Sequence, residues 1–451
     1  MNTALRALAL GLVAIGRAAP ACAPQRAVPA PAASSVPGPA GVTAGPAPPR
    51  ARTSGDAIAF IEDDYPRALA EARARGVPLF VDAWAPWCHT CLSMRAFVFP
   101  DAALRPLAPS FVWLAIDTER EENAPVVERL GAKVLPTLYV IDAATEGVRL
   151  AHPGSLTAAE LASLLDPLGA SATGATGATG AKRPAGNAAV ASPEAIAEHV
   201  TRLADSKQLA GCVTAGADEA PRMPPGTPLA DVLRAALGCA KDLPASAPER
   251  ARLADLARMG ERVVSDPAQP ILADDRSDVY DYVVDALSDL GRDSDAKRLA
   301  GAWVAFLEES AARAASPAAR TVFDAHRLLA YEAVGEPARA LPMLEQSARD
   351  VPGDYNPPAR LGRALFDLKR YDDAITELER ALALAYGPRK LRLWSLEADV
   401  YLAKPDPAGA RHALESALAF AKTITLTGAY PSLAASIARR LASMDAARPN
   451  R

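Results

Sequence analysis

Three alanines constrain this chain more than any other feature. Ala340, Ala374 and Ala410 stand 34 and 36 residues apart. Each is followed four residues later by a leucine (Leu344, Leu378, Leu414) and preceded nine residues earlier by Tyr331, Leu365 or Tyr401. In the second and third units another small residue, Ala381 or Ala417, comes after the leucine. Small residues recurring at such an interval within segments of helical period mark close helix crossings, and stacked helix pairs then bury one continuous core. Of the 451 residues half are hydrophobic but only 5% aromatic, because alanine supplies much of the apolar content. That balance suits packed helices better than a β-sandwich. Residues 193–319 have helical period with degenerate repeats, and 320–445 carry the regular ones.

The part before them reads differently. Residues 56–76 predict an amphipathic helix opened by Asp56 and closed by Gly76. Strand runs follow at 77–84, 110–117, 137–143 and 147–152, with helices at 124–131 and 157–168. Strands alternating with helices and ending in a hairpin predict an α/β domain with a mixed sheet over 56–168. Residues 22–55 are a Pro/Ala-rich spacer and 169–192 a low-complexity linker. Gly180-Ala181-Lys182-Arg183 in that linker lacks the Gly-Lys-Ser/Thr core of a phosphate loop and has no strand before it, which excludes it as a nucleotide site.

Residues 1–21 fit a secretory signal peptide: Arg6, a short apolar run and small residues before Cys22. Cys22 resembles the lipid-acceptor cysteine of bacterial lipoproteins, although Ala19 and Pro20 depart from that box; a lipid there would tether the protein to a membrane of the bacterial envelope. No run of eighteen apolar residues predicts a transmembrane helix. A net charge of -4 argues against a nucleic-acid binder. In an exported chain, Cys212 and Cys239 are candidates for a structural disulfide, whose loop closure contributes about 3 kcal/mol in the chain-entropy account.

Cys88 and Cys91 stand in "AWAPWCHTCLSM", at the predicted start of a helix. Unsatisfied N–H groups and the helix dipole there stabilise a thiolate, and a second cysteine one turn later can close a disulfide and release a captured partner. A zinc site at this pair would need two further ligands. Cys212 and Cys239 have no such partners, and the histidines (His89, His152, His199, His326, His412) are scattered, so no metal is expected.

"FVDAWAPWCHTC" together with "VLPTLYV" (134–140) resembles the thioredoxin superfamily. "VDAWAPWCHTCLSMRAFVFPDAAL" is most similar to the C-terminal domain of bacterial membrane thiol:disulfide interchange proteins. The resemblance implies that Cys88 is an exposed nucleophile, Cys91 the buried resolving cysteine and Asp82 a buried carboxylate managing its proton. It also implies that Pro136 is a cis-proline facing the disulfide, with Leu135 offering backbone hydrogen bonds to a docked peptide and Trp87 at the rim. The family's common Gly-Pro is replaced by His89-Thr90. An imidazole there can stabilise the thiolate, and His89 joins Trp87 and Leu135 as a candidate substrate contact at the rim; oxidising relatives place histidine at the position of Thr90, so direction rests on the interchange-protein resemblance, which points to reductase or isomerase-like exchange. Apart from the Cys88–Cys91 disulfide no cofactor is expected.

The repeats resemble a tetratricopeptide array: Leu361-Gly362, Trp394 and Pro352 fall at its Leu-Gly, Trp and terminal Pro positions. The expected fold is thus a thioredoxin α/β domain followed by an all-α, tetratricopeptide-like domain. Two functions remain open: an envelope thiol–disulfide oxidoreductase acting on protein thiols and disulfides, its helical domain binding proteins, or an envelope scaffold with a structural thioredoxin-like module.

Overall fold

The apolar run before the cysteine pair forms the middle strand of a five-stranded sheet. In this computed structural model, residues 58–132, 134–169 and 192–446 are described. The predicted signal peptide, Cys22, the 22–55 spacer and all but the ends of the 169–192 linker lie outside them. The strands are β1 (Phe60–Glu62), β2 (Leu79–Trp84), β3 (Val112–Asp117), β4 (Thr137–Ile141) and β5 (Val148–Pro153). Their order is β1-β3-β2-β4-β5, with the first three parallel and β4 and β5 antiparallel.

Period-two alternation along β2 divides the domain into two cores. Leu79 and Val81 face helices α1 (Tyr65–Arg75) and α3 (Ala124–Leu130), packing with Leu69, Ala72 and Val127. Phe80 faces the other way, among Met94, Val98, Leu161 and Leu165. Met94 and Val98 continue the short helix α2 (His89–Ser93) as a π-helical turn, and Leu161 and Leu165 lie on α4 (Ala158–Gly169). Asp82 shares the parity of Phe80, so it lies on the sheet face covered by the helix that the cysteine pair opens.

The helix expected over 56–76 is corrected. Phe60–Glu62 is a parallel edge strand, and the helix begins only at Tyr65. Local chemistry explains the break. Asp63 turns the chain at φ 56°, Asp64 accepts a hydrogen bond from Arg67 N at 3.0 Å, and Pro66 sits in the first turn, where its missing N–H costs nothing. Gly76 does close the helix, at φ 64°.

The helical part consists of α5 (Pro193–Asp205), α6 (Leu209–Glu219), α7 (Thr227–Asp242), α8 (Leu253–Ser265), α9 (Ala273–Asp289), α10 (Asp293–Ala312), α11 (Pro317–Thr321), α12 (Asp324–Ala333), α13 (Ala340–Asp350), α14 (Asn356–Asp367), α15 (Tyr371–Leu384), α16 (Arg389–Ala403), α17 (Pro407–Ala421) and α18 (Tyr430–Ala446). None of the described helices is long and apolar enough to cross a membrane. A disulfide joins Cys212 on α6 to Cys239 on α7, their Cα atoms 6.3 Å apart. Ala340, Ala374 and Ala410 and their leucines are all fully buried.

The described residues all fall in one compact unit, and the helical array packs directly on the α/β layer. Ser155 Oγ donates to Asp275 at 2.7 Å, Thr227 Oγ1 to Glu160 at 2.9 Å, and the rings of Phe97 and Phe323 lie 5.6 Å apart.

Gly362 gives a direct test of the repeat packing. A Cβ there would lie 2.8 Å from Leu378 Cγ and 3.2 Å from the Ala374 carbonyl oxygen across the α14–α15 crossing. Overpacking of about 1–3 kcal/mol should outweigh the ~1 kcal/mol gained in helix propensity. Gly362→Ala is therefore expected to lower the urea midpoint of unfolding, whereas a helix-propensity effect alone would raise it.

Candidate active site

Trp84 ends β2, and four residues later Cys88 caps the N-terminus of α2. Its sulfur accepts a hydrogen bond from Cys91 N at 3.1 Å, the kind of contact that favours a thiolate when the pair is reduced. Here the two cysteines form a disulfide with Cα atoms 5.2 Å apart. Together with Ala85 they form a small apolar cluster, against which Trp84, Trp87 and Leu135 pack. The Leu135–Pro136 peptide bond is cis, and Thr137 immediately starts β4 beside β2. Cys88, Cys91, Trp87 and Leu135 are thus brought together, with Pro136 next in the chain.

Asp82 is fully buried, and neither of its oxygens accepts a hydrogen bond from a described residue. Burial pushes its carboxyl up to about 7, partly opposed by Arg95, whose Nη1 lies 3.8 Å away, and assisted by Glu62. A carboxyl of that acidity beneath the motif helix can accept or return a proton near neutral pH.

One expectation is overturned. Cys88 was expected on an exposed helix tip, but it is only 5% exposed, and Cys91 is fully buried. The immediate surroundings of Cys88 are Ala85, Cys91, Trp84, Trp87 and Leu135 of its own domain, and the helical array packs in turn on the residues that flank it. Asn356 Nδ2 donates to the carbonyl oxygen of Pro86 at 2.9 Å, and the Arg389 guanidinium lies 5.2 Å from the centre of a Trp87 ring. Trp87 Nε1 donates to Glu119 Oε1 at 2.7 Å. The same carboxylate accepts from Tyr430 Oη at 2.7 Å and from Arg389 N at 2.9 Å. Tyr386 donates to Asp117 at the end of β3.

His89 does not point to an open rim. Its Nδ1 lies 2.9 and 3.1 Å from the two oxygens of the fully buried Asp274 on α9, and its ring centre is 4.4 Å from that of His326 on α12. Burial opposes the imidazolium, but Asp274, helped by Asp278 and resisted by Arg360, carries its pKa up to about 9.

Glu119, Asp274, His326, Asn356, Arg389 and Tyr430 were not singled out from the sequence. The acidic run at 274–281 was visible as charge, but no local pattern announces contacts across 185 residues (His89 to Asp274) or 311 (Glu119 to Tyr430).

Comparison with known proteins agrees with both halves. The thioredoxin-like family matches residues 60–143, and the tetratricopeptide repeat family matches 332–400. The thiol:disulfide interchange protein DsbD of Pseudoalteromonas atlantica is 32% identical over 82 residues, 18% of this chain and 14% of that protein. DsbD of Colwellia psychrerythraea is 28% identical over 88 residues, 19% of this chain and 14% of that protein. The chain therefore spans about one seventh of the length of these relatives. A solution structure of a proposed disulphide-isomerase from Bacteroides thetaiotaomicron is 31% identical, with 27% of this chain and all of that one covered, at a TM-score of 0.23. A tetratricopeptide protein of Thermus thermophilus is 18% identical, covering 44% of this chain and 92% of that one, at a TM-score of 0.28. The chain carries a thioredoxin-like domain homologous to part of DsbD over residues 60–143 and a tetratricopeptide-repeat domain over residues 332–400.

Proposed function

We propose that this chain is an exported thiol–disulfide oxidoreductase working through Cys88 and Cys91, in the reductase or isomerase-like direction, with protein clients reaching it by way of the helical array. The observation that carries this reading is the cysteine pair at a helix N-terminus, packed against Leu135 of a cis-proline turn, with Asp82, which accepts no hydrogen bond among the described residues, buried on the sheet face below. Fold alone would not suffice, since function lives in sites.

The exchange balances as follows. In the reduced pair, the Cys88 thiolate attacks one sulfur of a client disulfide, a mixed disulfide forms, and the other client sulfur leaves as a thiolate that takes up a proton. Asp82 removes the proton of Cys91. The resulting thiolate attacks Cys88 Sγ and expels the second client sulfur. The client gains two electrons, Cys88–Cys91 is oxidised to the disulfide, and a separate dithiol donor must reduce it again. Isomerase-like exchange ends instead with attack by a client thiol on the mixed disulfide, which returns the dithiol.

Because Cys88 is buried and the array packs on Pro86 and Trp87 beside it, a client reaches the sulfur in this reading when the array swings off the motif face. The same burial also favours the second reading, an envelope scaffold whose thioredoxin-like module is structural. Export through residues 1–21 into the bacterial periplasm or envelope, with Cys22 lipidated or not, is part of the proposal; the second disulfide, Cys212–Cys239, supports an oxidising compartment. Palmitate incorporation lost in Cys22→Ala checks the lipid.

Three outcomes are expected. First, Cys91→Ala should trap clients on Cys88 as mixed disulfides in cell envelopes, and the wild-type chain should catalyse insulin reduction by dithiothreitol. Absence of both would favour the scaffold.

Second, Gly387 should report on the cover. It has φ 58°, and a Cβ there would lie 1.9 Å from the carbonyl oxygen of Glu119. Gly387→Ala should push the array from that loop and speed alkylation of Cys88 in the Cys91→Ala background by tenfold or more. Equal rates would mean the sulfur is shielded by its own domain.

Third, the rate of the resolving step should rise with pH through about 7 as Asp82 ionises, and Asp82→Asn should abolish that inflection. Stability should move the opposite way. Because the folded-state pKa is raised, the native state holds a proton that the unfolded chain releases above about 4, so stability is lost as pH rises from about 4 to 7. Asp82→Asn should flatten that slope in urea unfolding series, and an unchanged slope would remove Asp82 from the account.

A further inference from the structure

The geometry points to a binding site for a divalent transition-metal ion, of the zinc or cobalt type, between the motif helix and the helical array, with His89, His326 and Asp278 as its ligands. One potential ligand atom from each of these residues lies within 4.8 Å of the others. A tetrahedral ion with ligands at ~2.0–2.1 Å holds them about 3.3 Å apart, so the set needs to close by no more than about 1.5 Å to share one centre. Two imidazoles and one carboxylate form a set that suits zinc and its neighbours rather than calcium or magnesium, which prefer oxygen throughout.

The surroundings are organised for such a role. Asp274, fully buried on α9, lies 2.9 Å from His89 Nδ1 and 3.4 Å from His326 Nδ1. A carboxylate that holds the Nδ1–H of an imidazole fixes the ring and turns Nε2 outward, where a bound ion takes the place of the proton on that nitrogen. Asp274 thus orients His89 and stands near His326 without bonding it. His326 Nε2 already stands 3.0 Å from Asp278 Oδ1, while the other oxygen of Asp278 faces Arg234 Nη1 at 3.8 Å. His326 is 2% exposed, and its Nδ1 makes no hydrogen bond to a described residue, so this buried ring is only half satisfied. A metal on Nε2, with the ring drawn toward Asp274, would satisfy both nitrogens.

The site joins three distant parts of the chain. His89 lies on α2 beside Cys88, Asp278 on α9 and His326 on α12. An ion held there cross-links the redox motif to the array. It is also distinct from a site on the cysteines, because it asks nothing of their sulfurs and is complete while the disulfide is closed. It stands whether or not the chain performs exchange.

The test uses the full chain with its disulfides intact and Co(II) as the probe, followed by displacement with Zn(II). One equivalent of Co(II) is expected per chain, with ligand-field bands in the visible and no thiolate-to-metal charge-transfer band. Cys88→Ser/Cys91→Ser should leave that spectrum unchanged. His89→Asn and Asp278→Asn should each weaken binding at least tenfold. Zn(II) should raise the thermal midpoint of the wild-type chain but not of His89→Asn, whose position on the edge of the site leaves the array's core untouched. His326→Gln is scored only if its circular dichroism matches the wild type. The proposal is overturned if the oxidised chain retains no Co(II) after dialysis, if the His89 and Asp278 variants bind as well as the wild type, or if binding appears only on reduction and vanishes in Cys88→Ser/Cys91→Ser.

Discussion

A carboxylate buried at the seam between the two halves organises the rest of this structure. Glu119 is 3% exposed and accepts hydrogen bonds from the Trp87 indole, the Tyr430 hydroxyl and the Arg389 backbone N–H. A buried carboxylate is tolerated only when its lone pairs are filled, and removing one partner leaves a penalty of several kcal/mol. Two of the three donors come from the tetratricopeptide part and one from the tryptophan that precedes the nucleophilic cysteine. The redox motif and the helical array therefore share one polar centre, and neither can move without leaving it short of partners.

That coupling changes the meaning of the chemistry at Cys88. The local arrangement is what thiol exchange needs: a sulfur at a helix N-terminus, a second cysteine one turn on, an apolar wall and a buried acid. The sulfur is packed by Ala85, Trp84, Trp87 and Leu135 of its own domain. Asn356, Arg389 and Tyr430 hold the next layer, on Pro86, Trp87 and Glu119, so the face beside the motif is occupied by the array. The motif histidine is drawn into the same seam, held by Asp274 rather than offered to a client.

Most of the fold was legible in the sequence because its determinants are periodic. Alternation along 79–84 and the alanines at 340, 374 and 410 mark buried faces directly, and the sheet and the helix crossings follow them. The edge strand at Phe60–Glu62 was not legible. Three residues are too few to display a period, and the helix after it extends the same apolar spacing, so only the turn chemistry of Asp63, Asp64 and Pro66 separates them. The cysteines, Asp82 and Pro136 could be read from local motif context. The burial of Cys88 was not legible, because it depends on how Trp84, Trp87 and Leu135 fold around the sulfur, and the packing of Asn356 on Pro86 from 270 positions away leaves no local pattern. The pairing of His89 with His326 was hidden for the same reason.

The indole proton of Trp87 reports most directly on this cover. Its hydrogen exchange with solvent can be followed by NMR in the full chain, with Trp87→Phe to assign the resonance. Held by Glu119 beneath Arg389 and Tyr430, it should exchange at least a hundredfold more slowly than a free indole. Exchange at the free rate would place the array away from the motif and contradict the account.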